Sequence, residues 1–458
     1  MKVFYRSLMA ATFSALVGCL TLVQAQVPVS ANSPDLLTCS PAPCVFPPIQ
    51  VSEGGNLVNT PSITSDPLDP AHLLIGTYDY NCHFGLGFFA SSDGGSSWTL
   101  TCPSQYIGLY APIGEPMVAY DRRGIAYIAG TYFHEGYGRG LVGIQSSPDG
   151  INWNAPVIAL KQGNFPFNPA LAADTNMSSP FLNRLYVSAV INTGGPYLVY
   201  VSHSTDGGAN WNQVAVARGQ QSPDFDQYTN LAVGKNGTVY LTWMYCNVGP
   251  YVCNDHKGHM VFSKSSDGGN TWSTPTLITT INLLSTYLPN TQNVGVTNYP
   301  AIAVDNSSGP NAGSLYVVMY SWAGTYMRVG VVRSTDGGKT WSKPVPVAPP
   351  SDNHDQFFPW ISVSSAGLVG VSWLDRRNDP ANVNYQPFGA ISTDGGKSFQ
   401  PNVELTTAFS NPNNNGGDGW MGDYTGNAWA GPNNFVAAWM DSSNGRNMQV
   451  MVGGIRLK

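Results

Sequence analysis

Short apolar segments that share one sequence pattern recur seven times along the chain, each flanked by polar turn residues. Each segment begins with a polar or aromatic residue followed by Pro or Thr, and it ends in a turn residue. The segments lack the polar alternation of a half-exposed strand, so they are typical of an inner strand buried on both faces. They are TPSITSD (60–66), EPMVAYD (115–121), NPALAAD (168–174), YTNLAVG (228–234), YPAIAVD (299–305), FPWISVS (358–364) and YTGNAWA (424–430).

A second repeat, rich in aspartate and glycine, lies between these segments. Its six copies are SSDGGSSW (91–98), SPDGINW (147–153), STDGGANW (204–211), SSDGGNTW (265–272), STDGGKTW (334–341) and STDGGKSF (392–399). Their aspartates are 56, 57, 61, 69 and 58 residues apart, a period that is typical of one β-sheet blade per repeat. Because Asp accepts backbone N–H groups and Gly supplies positive φ, each copy predicts a tight hairpin turn.

This turn resembles the Asp-box, or BNR repeat, of sialidase-like β-propellers. The resemblance implies an all-β propeller whose boxes are structural turns on the face away from the active site. Seven inner segments predict seven four-stranded antiparallel blades, and a six-bladed ring with an irregular appendix is the alternative. The seventh unit has three strands, so we expect residues 45–53 to supply its fourth strand and close the ring. The box aspartates are Asp93, Asp149, Asp206, Asp267, Asp336 and Asp394.

The N-terminal residues predict export. Lys2 and Arg6 precede an apolar stretch that ends at a small-residue cleavage site before residue 25, which is typical of a signal peptide. Thr, Ser and Gly interrupt the stretch too often for a membrane span. The alternative is a lipobox that ends at Cys19, whose lipid would anchor the protein. We therefore expect a signal peptide (1–25), a linker (26–44) and one propeller domain (45–458), secreted, periplasmic or attached to the cell surface.

Composition narrows the classes of partner and cofactor. Charged residues are only 10% of the chain and the net charge is −6 without a basic run, which argues against nucleic acid or an anionic membrane. Six cysteines outside the signal fall into neighbouring pairs and suggest disulfides, although six permit 15 pairings. We expect no cofactor or metal, with a structural calcium at 305–313 as the alternative. The cysteine pairs are Cys39 with Cys44, Cys82 with Cys102, and Cys246 with Cys253.

The strand order of a propeller separates two kinds of loop. The boxes connect third and fourth strands, so the longer loops, which are rich in acids and carry five of the 12 arginines, lie on the opposite face. Asp226, Asp355 and Asp423 directly precede inner strands, and with Glu115 they are candidates for a ring of acids at the central opening. Carboxylates that face each other have pKa values pushed apart, as one acid and one base require. The alternative is that each caps the start of a strand.

A second cluster is the segment from Trp373 to Pro380. Its arginines, Arg376 and Arg377, are flanked by Asp375 and Asp379, so they could bind a substrate carboxylate in bidentate fashion. They could equally form a self-satisfied ionic cluster that orders the loop. The catalytic candidates are Asp355, Asp375 and Asp423, with Glu115 and Tyr424 as a Tyr/Glu couple, and the substrate-binding candidates are Arg376, Arg377, Asp379, Arg446, Arg139, Asp226, Tyr228 and Trp420.

The resemblance implies activity on glycans, but the sialidase arginine motif is missing. The first blade, from Thr60 to Trp98, contains no arginine. We therefore expect a monomeric protein, glycoside hydrolase-like or alternatively a polysaccharide lyase, that acts on an extracellular glycan or glycoprotein. The alternatives are a non-catalytic propeller that binds glycan or protein, and a calcium-stabilised scaffold.

Overall fold

The fold is a closed ring of seven β-sheet blades, seen in a computed structural model, and the described residues form 28 strands and no helix. The seven-bladed prediction is confirmed. No described segment is a helix of the length and apolarity needed to cross a membrane. The structure describes residues 44–52, 55–82, 85–102, 106–134, 136, 138–195, 197–217, 225–246, 253, 255–283, 287–349, 353–417 and 419–457.

The first four blades each place four strands in chain order from the axis outwards. Blade 1 has β2 (Val58–Ser65), β3 (Leu73–Asp79), β4 (Leu86–Ser91) and β5 (Thr99–Thr101). Blade 2 has β6 (Ala111–Tyr120), β7 (Ala126–His134), β8 (Arg139–Ser147) and β9 (Val157–Leu160). Blade 3 has β10 (Phe165–Ala173), β11 (Leu185–Asn192), β12 (Tyr197–Ser204) and β13 (Asn212–Ala217). Blade 4 has β14 (Phe225–Val233), β15 (Val239–Cys246), β16 (Lys257–Ser265) and β17 (Thr276–Asn282).

The last three blades complete the ring, and the two ends of the chain share one sheet. Blade 5 has β18 (Ala301–Val304), β19 (Leu315–Trp322), β20 (Met327–Ser334) and β21 (Val345–Pro346). Blade 6 has β22 (Gln356–Val363), β23 (Val369–Asp375), β24 (Gln386–Ser392) and β25 (Val403–Glu404). Blade 7 has β26 (Gly426–Trp429), β27 (Asn434–Asp441), β28 (Gln449–Arg456) and the N-terminal β1 (Cys44–Gln50), which pairs antiparallel with β28. The predicted closure by the N-terminal segment is thus confirmed.

Five inner strands carry a β-bulge at the same place, where a residue with positive φ precedes a Pro or Thr. Proline is tolerated there because a bulged position donates no ladder hydrogen bond. The bulge changes the direction of the side chain, so each blade presents one residue towards the axis. The bulge residues are Thr60, Glu115, Asn168, Tyr228 and Phe358, with φ of 54°, 55°, 49°, 58° and 47°.

The six Asp-boxes are closed hydrogen-bonded turns between the third and fourth strands of blades 1 to 6. In the box of blade 5, Ser334 Oγ donates to Asp336 Oδ1 at 2.8 Å and accepts Gly338 N–H at 2.9 Å. Asp336 also accepts Thr340 N–H and Thr340 Oγ, at 3.0 and 2.6 Å. These hydrogen bonds lower the pKa of the Asp336 carboxyl, so the turn uses an ionised aspartate.

Cations from one blade bind the box of the next. Arg184 donates to the carbonyl of Gly268 at 2.6 Å, Lys264 to that of Gly337 at 2.8 Å and Arg333 to that of Gly395 at 2.9 Å. The three acceptors are the first glycine of successive boxes. These three cations therefore link neighbouring blades on the box face.

Two of the three predicted disulfides are confirmed. Cys82 and Cys102 are bonded with a Cα–Cα distance of 5.3 Å, and they join the β3–β4 loop to the connection that follows β5. Cys246 and Cys253 are bonded with a Cα–Cα distance of 4.9 Å and close the β15–β16 loop. Cys39, the predicted partner of Cys44, lies outside the described residues, as do the predicted signal peptide and Cys19.

Candidate active site

The residues that open the inner strands meet at the axis of the ring. Tyr299 of blade 5 lies 4.9 Å from Tyr228 of blade 4 and 5.3 Å from Tyr424 of blade 7, measured between ring centroids. Asn168 Nδ2 of blade 3 donates to the Tyr299 hydroxyl at 2.9 Å. The Tyr424 hydroxyl donates to the carbonyl of Pro116, in blade 2, at 2.6 Å. Since several of these blades are not neighbours in the ring, such contacts are possible only at its centre.

Glu115 is one of two carboxyls in this central cluster. Its Oε2 accepts the Thr131 hydroxyl at 2.6 Å, and its Oε1 accepts both Asn168 N–H and Asn168 Nδ2, each at 3.1 Å. Burial, together with the nearby charge of Asp423, raises the pKa of Glu115 to about 7 despite these hydrogen bonds. The side chain is only partly buried, so solvent reaches it.

Asp423 is the other carboxyl, brought from the last blade by the closure of the ring. Its Oδ1 accepts the indole N–H of Trp420 at 3.0 Å, and its backbone N–H donates to Thr60 Oγ at 3.2 Å. The Thr297 hydroxyl donates to its carbonyl. Burial raises the pKa of Asp423 to about 6, while the indole hydrogen bond opposes that shift. Asp423, like Glu115, keeps some solvent exposure.

The three central tyrosines remain protonated phenols. Burial, followed by the charges of Glu115 and Asp423, raises the pKa of Tyr228, Tyr299 and Tyr424. The structure brings the predicted couple of Glu115 and Tyr424 into one cluster. However, the Tyr424 hydroxyl already donates its proton to the Pro116 carbonyl, whereas Tyr299 is linked to Glu115 through Asn168.

Three residues of the central cluster have strained backbone. Glu115, Asn168 and Tyr228 all have positive φ, a conformation that costs a non-glycine residue on the order of 1–3 kcal/mol. Residues of the outer loops, such as His256 and Asn382, have positive φ as well. Backbone strain alone therefore does not distinguish the axis from the outer loops, and the contacts of the cluster carry the assignment.

Asp355 and Arg376 lie apart from the central cluster, in a closed ion pair in blade 6. The side chains are 1% and 0% exposed, and Arg376 Nη1 lies 3.5 Å from Asp355 Oδ2. Asp355 also accepts Met327 N–H at 2.9 Å and Asn382 Nδ2 at 2.7 Å. Arg376 donates to the Pro289 carbonyl at 2.8 Å and packs over the ring of Phe357. No substrate reaches either group in this arrangement.

The other charges of that segment bind one another or the backbone. Asp375 accepts the indole N–H of Trp373 at 2.7 Å and Arg377 Nη2 at 2.5 Å. Asp379 accepts the N–H groups of Ala381, Val383 and Asn384, which closes the turn that follows. The geometry matches the structural alternative for this cluster.

The remaining candidates are divided between rim and axis. Arg139 and Arg446 are exposed at the ends of outer loops. Asp226 is buried and accepts the indole N–H of Trp243 at 2.9 Å. Tyr228 lies at the axis, and Trp420 lies beside Asp423.

The segment 305–313, the alternative calcium site, is held by its own backbone: Asp305 accepts Ser307 N–H at 2.9 Å. The described residues contain no group of three metal-ligating side chains.

The sequence reasoning missed Asn168 and Tyr299 as members of the site. Both are the first residue of an inner segment, in the same aligned column as Glu115, Tyr228 and Tyr424. That column thus contributes five members of the central cluster, while Trp360, which contacts Tyr299 and Tyr424, comes from another position of its inner strand.

Comparison with known proteins supports the fold. The BNR/Asp-box repeat model matches residues 332–343. A sialidase of Micromonospora viridifaciens is 28% identical over 49% of this chain and 34% of its own length. A xyloglucanase of Paenibacillus sp. is 26% identical over 62% of this chain and 26% of its own length. The chain thus spans about a third or less of the curated relatives it matches.

A solved structure extends the likeness over most of the chain. An ulvan lyase, bound to -[GlcA(1-4)Rha3S]-, superposes with a TM-score of 0.51 and 11% identity, covering 89% of this chain and 95% of the lyase. At that identity the likeness concerns the fold. The chain is thus a seven-bladed β-propeller that carries a BNR/Asp-box repeat and is similar to a sialidase over about half of its length.

Proposed function

We propose that the protein is a secreted glycoside hydrolase that cleaves an extracellular glycan at the central opening, with Glu115 as its acid and Asp423 as its base or nucleophile. The observation that carries the proposal is the pair itself. Two partly exposed carboxyls from blades 2 and 7 lie in one cluster at the axis; both have a raised pKa, and the charge of Asp423 acts on Glu115. Glycosidases of most families use such a pair of carboxyls on either side of the scissile bond.

The order of the two pKa values assigns the roles. Between pH 6 and 7, Asp423 (about 6) is largely ionised and Glu115 (about 7) is largely protonated. Glu115 would donate its proton to the glycosidic oxygen as the bond from that oxygen to the anomeric carbon breaks. Asp423 would remove a proton from the water that attacks this carbon. Alternatively, Asp423 would attack the carbon itself, and water, deprotonated by Glu115, would then hydrolyse the resulting ester. Activity should therefore peak between these two pKa values.

The comparisons support the class of substrate. Both curated relatives are named as carbohydrate-degrading enzymes, a sialidase and a xyloglucanase. Transfer of either activity to this chain is part of the proposal, because the chain covers a minor share of each relative. The absence of arginine from the sequence of the first blade, Thr60 to Trp98, argues against sialic acid as the substrate.

Export, a monomeric state and the lack of a required cofactor are further parts of the proposal. Disulfides such as Cys82–Cys102 are compatible with an extracellular or periplasmic location. A ring closed by its own N-terminal strand is complete without a second copy. Sedimentation of the exported protein would test the monomeric state. The same measurement with a chelator would test whether the protein needs a metal.

The test is turnover of a panel of chromogenic glycosides and polysaccharides by the wild-type protein, Glu115→Gln and Asp423→Asn. The matched control is Asp255→Asn, which alters an exposed aspartate in the β15–β16 loop of the same face. Loss of turnover in both axis variants, with full turnover in the control, supports the proposal. Equal turnover in all four proteins would remove the pair from the mechanism, and glycan binding without turnover by the wild type would favour the non-catalytic alternative.

A further inference from the structure

An aromatic row leads from the rim of the face to the carboxyl pair. Tyr80 is 46% exposed at its outer end, and its ring centroid lies 4.9 Å from that of Tyr78. The Tyr78 ring lies 5.1 Å from Trp420, at an interplanar angle of 89°. Trp420 then donates its indole N–H to Asp423 Oδ1 at 3.0 Å. Three neighbouring rings thus connect solvent to one of the two reactive carboxyls.

The same row also contacts the backbone that carries the other carboxyl. Gly114, directly before Glu115, has φ of 144°, and a Cβ atom built on it would overlap the ring of Tyr78. Glycine is therefore required for Tyr78 to lie against this strand. The ring of Tyr78 is packed between the segment that holds Glu115 and the indole that holds Asp423.

Among the described residues, the charges that act on this cluster are acidic. The neighbouring charges that raise the pKa of Tyr228 and Tyr424 are those of Glu115 and Asp423. Of the two arginines that the sequence offers for a substrate carboxylate, Arg376 is 0% exposed and paired with Asp355, and Arg377 is paired with Asp375. An anionic sugar bound between these described groups would therefore face two acids, which is unfavourable in a partly desolvated site.

We propose that Tyr80, Tyr78 and Trp420 form a sugar-stacking subsite and that the glycan bound there is uncharged. This inference rests on the proposed function, because it names the substrate class of the same site. The apolar faces of neutral sugar rings pack on exposed aromatic rings, and the indole N–H of Trp420 stays bonded to Asp423. The row orients the chain so that one glycosidic bond reaches Glu115 and Asp423.

The experiment measures binding separately from catalysis. Cellohexaose, xylohexaose and arabinohexaose are titrated calorimetrically into the Glu115→Gln protein, with hexagalacturonate and 3′-sialyllactose as anionic probes. We expect one neutral probe to bind, and Tyr80→Ala to weaken its Kd by roughly 10-fold, about 1.4 kcal/mol. Tyr80→Phe should keep the Kd within about twofold, because the ring remains.

Two further variants separate the subsite from general damage. Leu68→Ala is the matched control, since Leu68 is 55% exposed in the β2–β3 turn on the box face, and it should leave the Kd unchanged. Trp420→Phe keeps a ring but removes the hydrogen bond to Asp423. In an active background it should move the acidic limb of the pH–rate profile upwards, because that hydrogen bond lowers the pKa of Asp423.

Several results would overturn the inference. These are tighter binding of an anionic probe than of every neutral one, binding of no neutral probe, or an unchanged Kd in Tyr80→Ala. A neutral probe that binds through Tyr80 but is not cleaved by the wild-type protein would contradict the hydrolase proposal alone. The subsite would then belong to a glycan-binding propeller.

Discussion

Two groups of acids on the same face of the propeller have opposite environments. In blade 6, Asp355 and Asp375 are buried, and each lies against an arginine. At the axis, Glu115 and Asp423 are partly exposed members of one cluster, and burial and the charge of Asp423 raise the pKa of Glu115 to about 7. The carboxylates of the first group are paired with arginines inside the protein. The carboxyls of the second group bind and release protons near neutral pH.

The difference shows that local charge density is a poor guide to function in this fold. The segment from Trp373 to Pro380 has the densest mixture of charges near an expected active face, and its charges serve to order its own loop. The axis pair consists of single acids in two apolar repeats that are distant in the chain and meet only when the ring closes. A closed ring of repeats brings together residues that occupy equivalent positions in different repeats, even when they are distant in the chain.

The largest contrast should appear in turnover. Glu115→Gln is expected to lower kcat by about 10²- to 10⁴-fold, the usual contribution of a general acid. Asp375→Asn alters an acid of the blade 6 group, and kcat of the folded protein should stay within about threefold, because no substrate proton passes through that group. Steady-state kinetics on the best substrate from the panel measures both. Equal losses in the two variants would contradict the division between the groups.

Stability should show the reverse pattern. Asp355→Ala leaves the Arg376 guanidinium buried without its carboxylate, so the free energy of unfolding should fall by about 3–5 kcal/mol. Arg376→Leu should cost less than about half of that, because Asp355 keeps hydrogen bonds from Met327 N–H and Asn382 Nδ2. Chemical denaturation measures both. A greater loss in Arg376→Leu would show that the aspartate, not the arginine, is the costly buried charge.

The pH dependence of stability should carry the signature of the axis pair. A carboxyl whose folded-state pKa is raised binds more protons folded than unfolded between its two pKa values, so its stabilising contribution is present below about pH 4 and is lost as pH rises through about 6 for Asp423 and 7 for Glu115. Unfolding free energy should therefore fall from pH 4.5 to 7.5, by an amount on the order of 5 kcal/mol for the two groups together.

Asp423→Asn is the control for that pH dependence. It removes one titrating group and the charge that raises the pKa of Glu115, so the decline should be shallower in this variant. Urea titrations of both proteins at the two pH values supply the comparison. An unchanged slope would show that the decline comes from other groups.

The smallest expected effect concerns a single Asp-box. Ser334→Ala removes the buried hydroxyl that bonds Asp336 and the Gly338 N–H, which should cost about 1–2 kcal/mol. Turnover per folded molecule should not change, because the box lies on the face opposite the axis opening. Lys339→Ala, an exposed change in the same turn, should leave stability nearly unchanged. Thermal unfolding of the two variants tests whether each box stabilises the fold through its own hydrogen bonds.

The fold was predictable because its determinants are local and repeated. Each box contains its own acceptors and glycines, so Ser334, Asp336 and Gly338 specify their turn without help from distant residues. Seven aligned inner segments predicted the number of blades. The last unit lacked one strand, which predicted that residues 45–53 supply it, and β1 (Cys44–Gln50) pairs with β28 in that blade.

The site was predictable only in part because its contacts are long-range. Glu115, Asp423, Tyr228 and Tyr424 are identifiable as residues near the starts of inner strands, but sequence does not show which acids point to the axis. Asp226 and Asp355 occupy similar places and accept bonds from the blade interior instead, from Trp243 and Met327. Whether a bulge turns a side chain towards the axis depends on backbone geometry that the residue types do not reveal.

The most direct test of the account is an NMR titration of the Glu115 carboxyl, followed by its carbon-13 chemical shift, in the wild-type protein and in Asp423→Asn. The account predicts that Glu115 titrates near pH 7 in the wild type and at a lower pH in the variant, since the neighbouring charge is removed. A midpoint near the ordinary glutamate value of about 4.3, or one that does not move when Asp423 is replaced, would contradict a coupled pair at the axis.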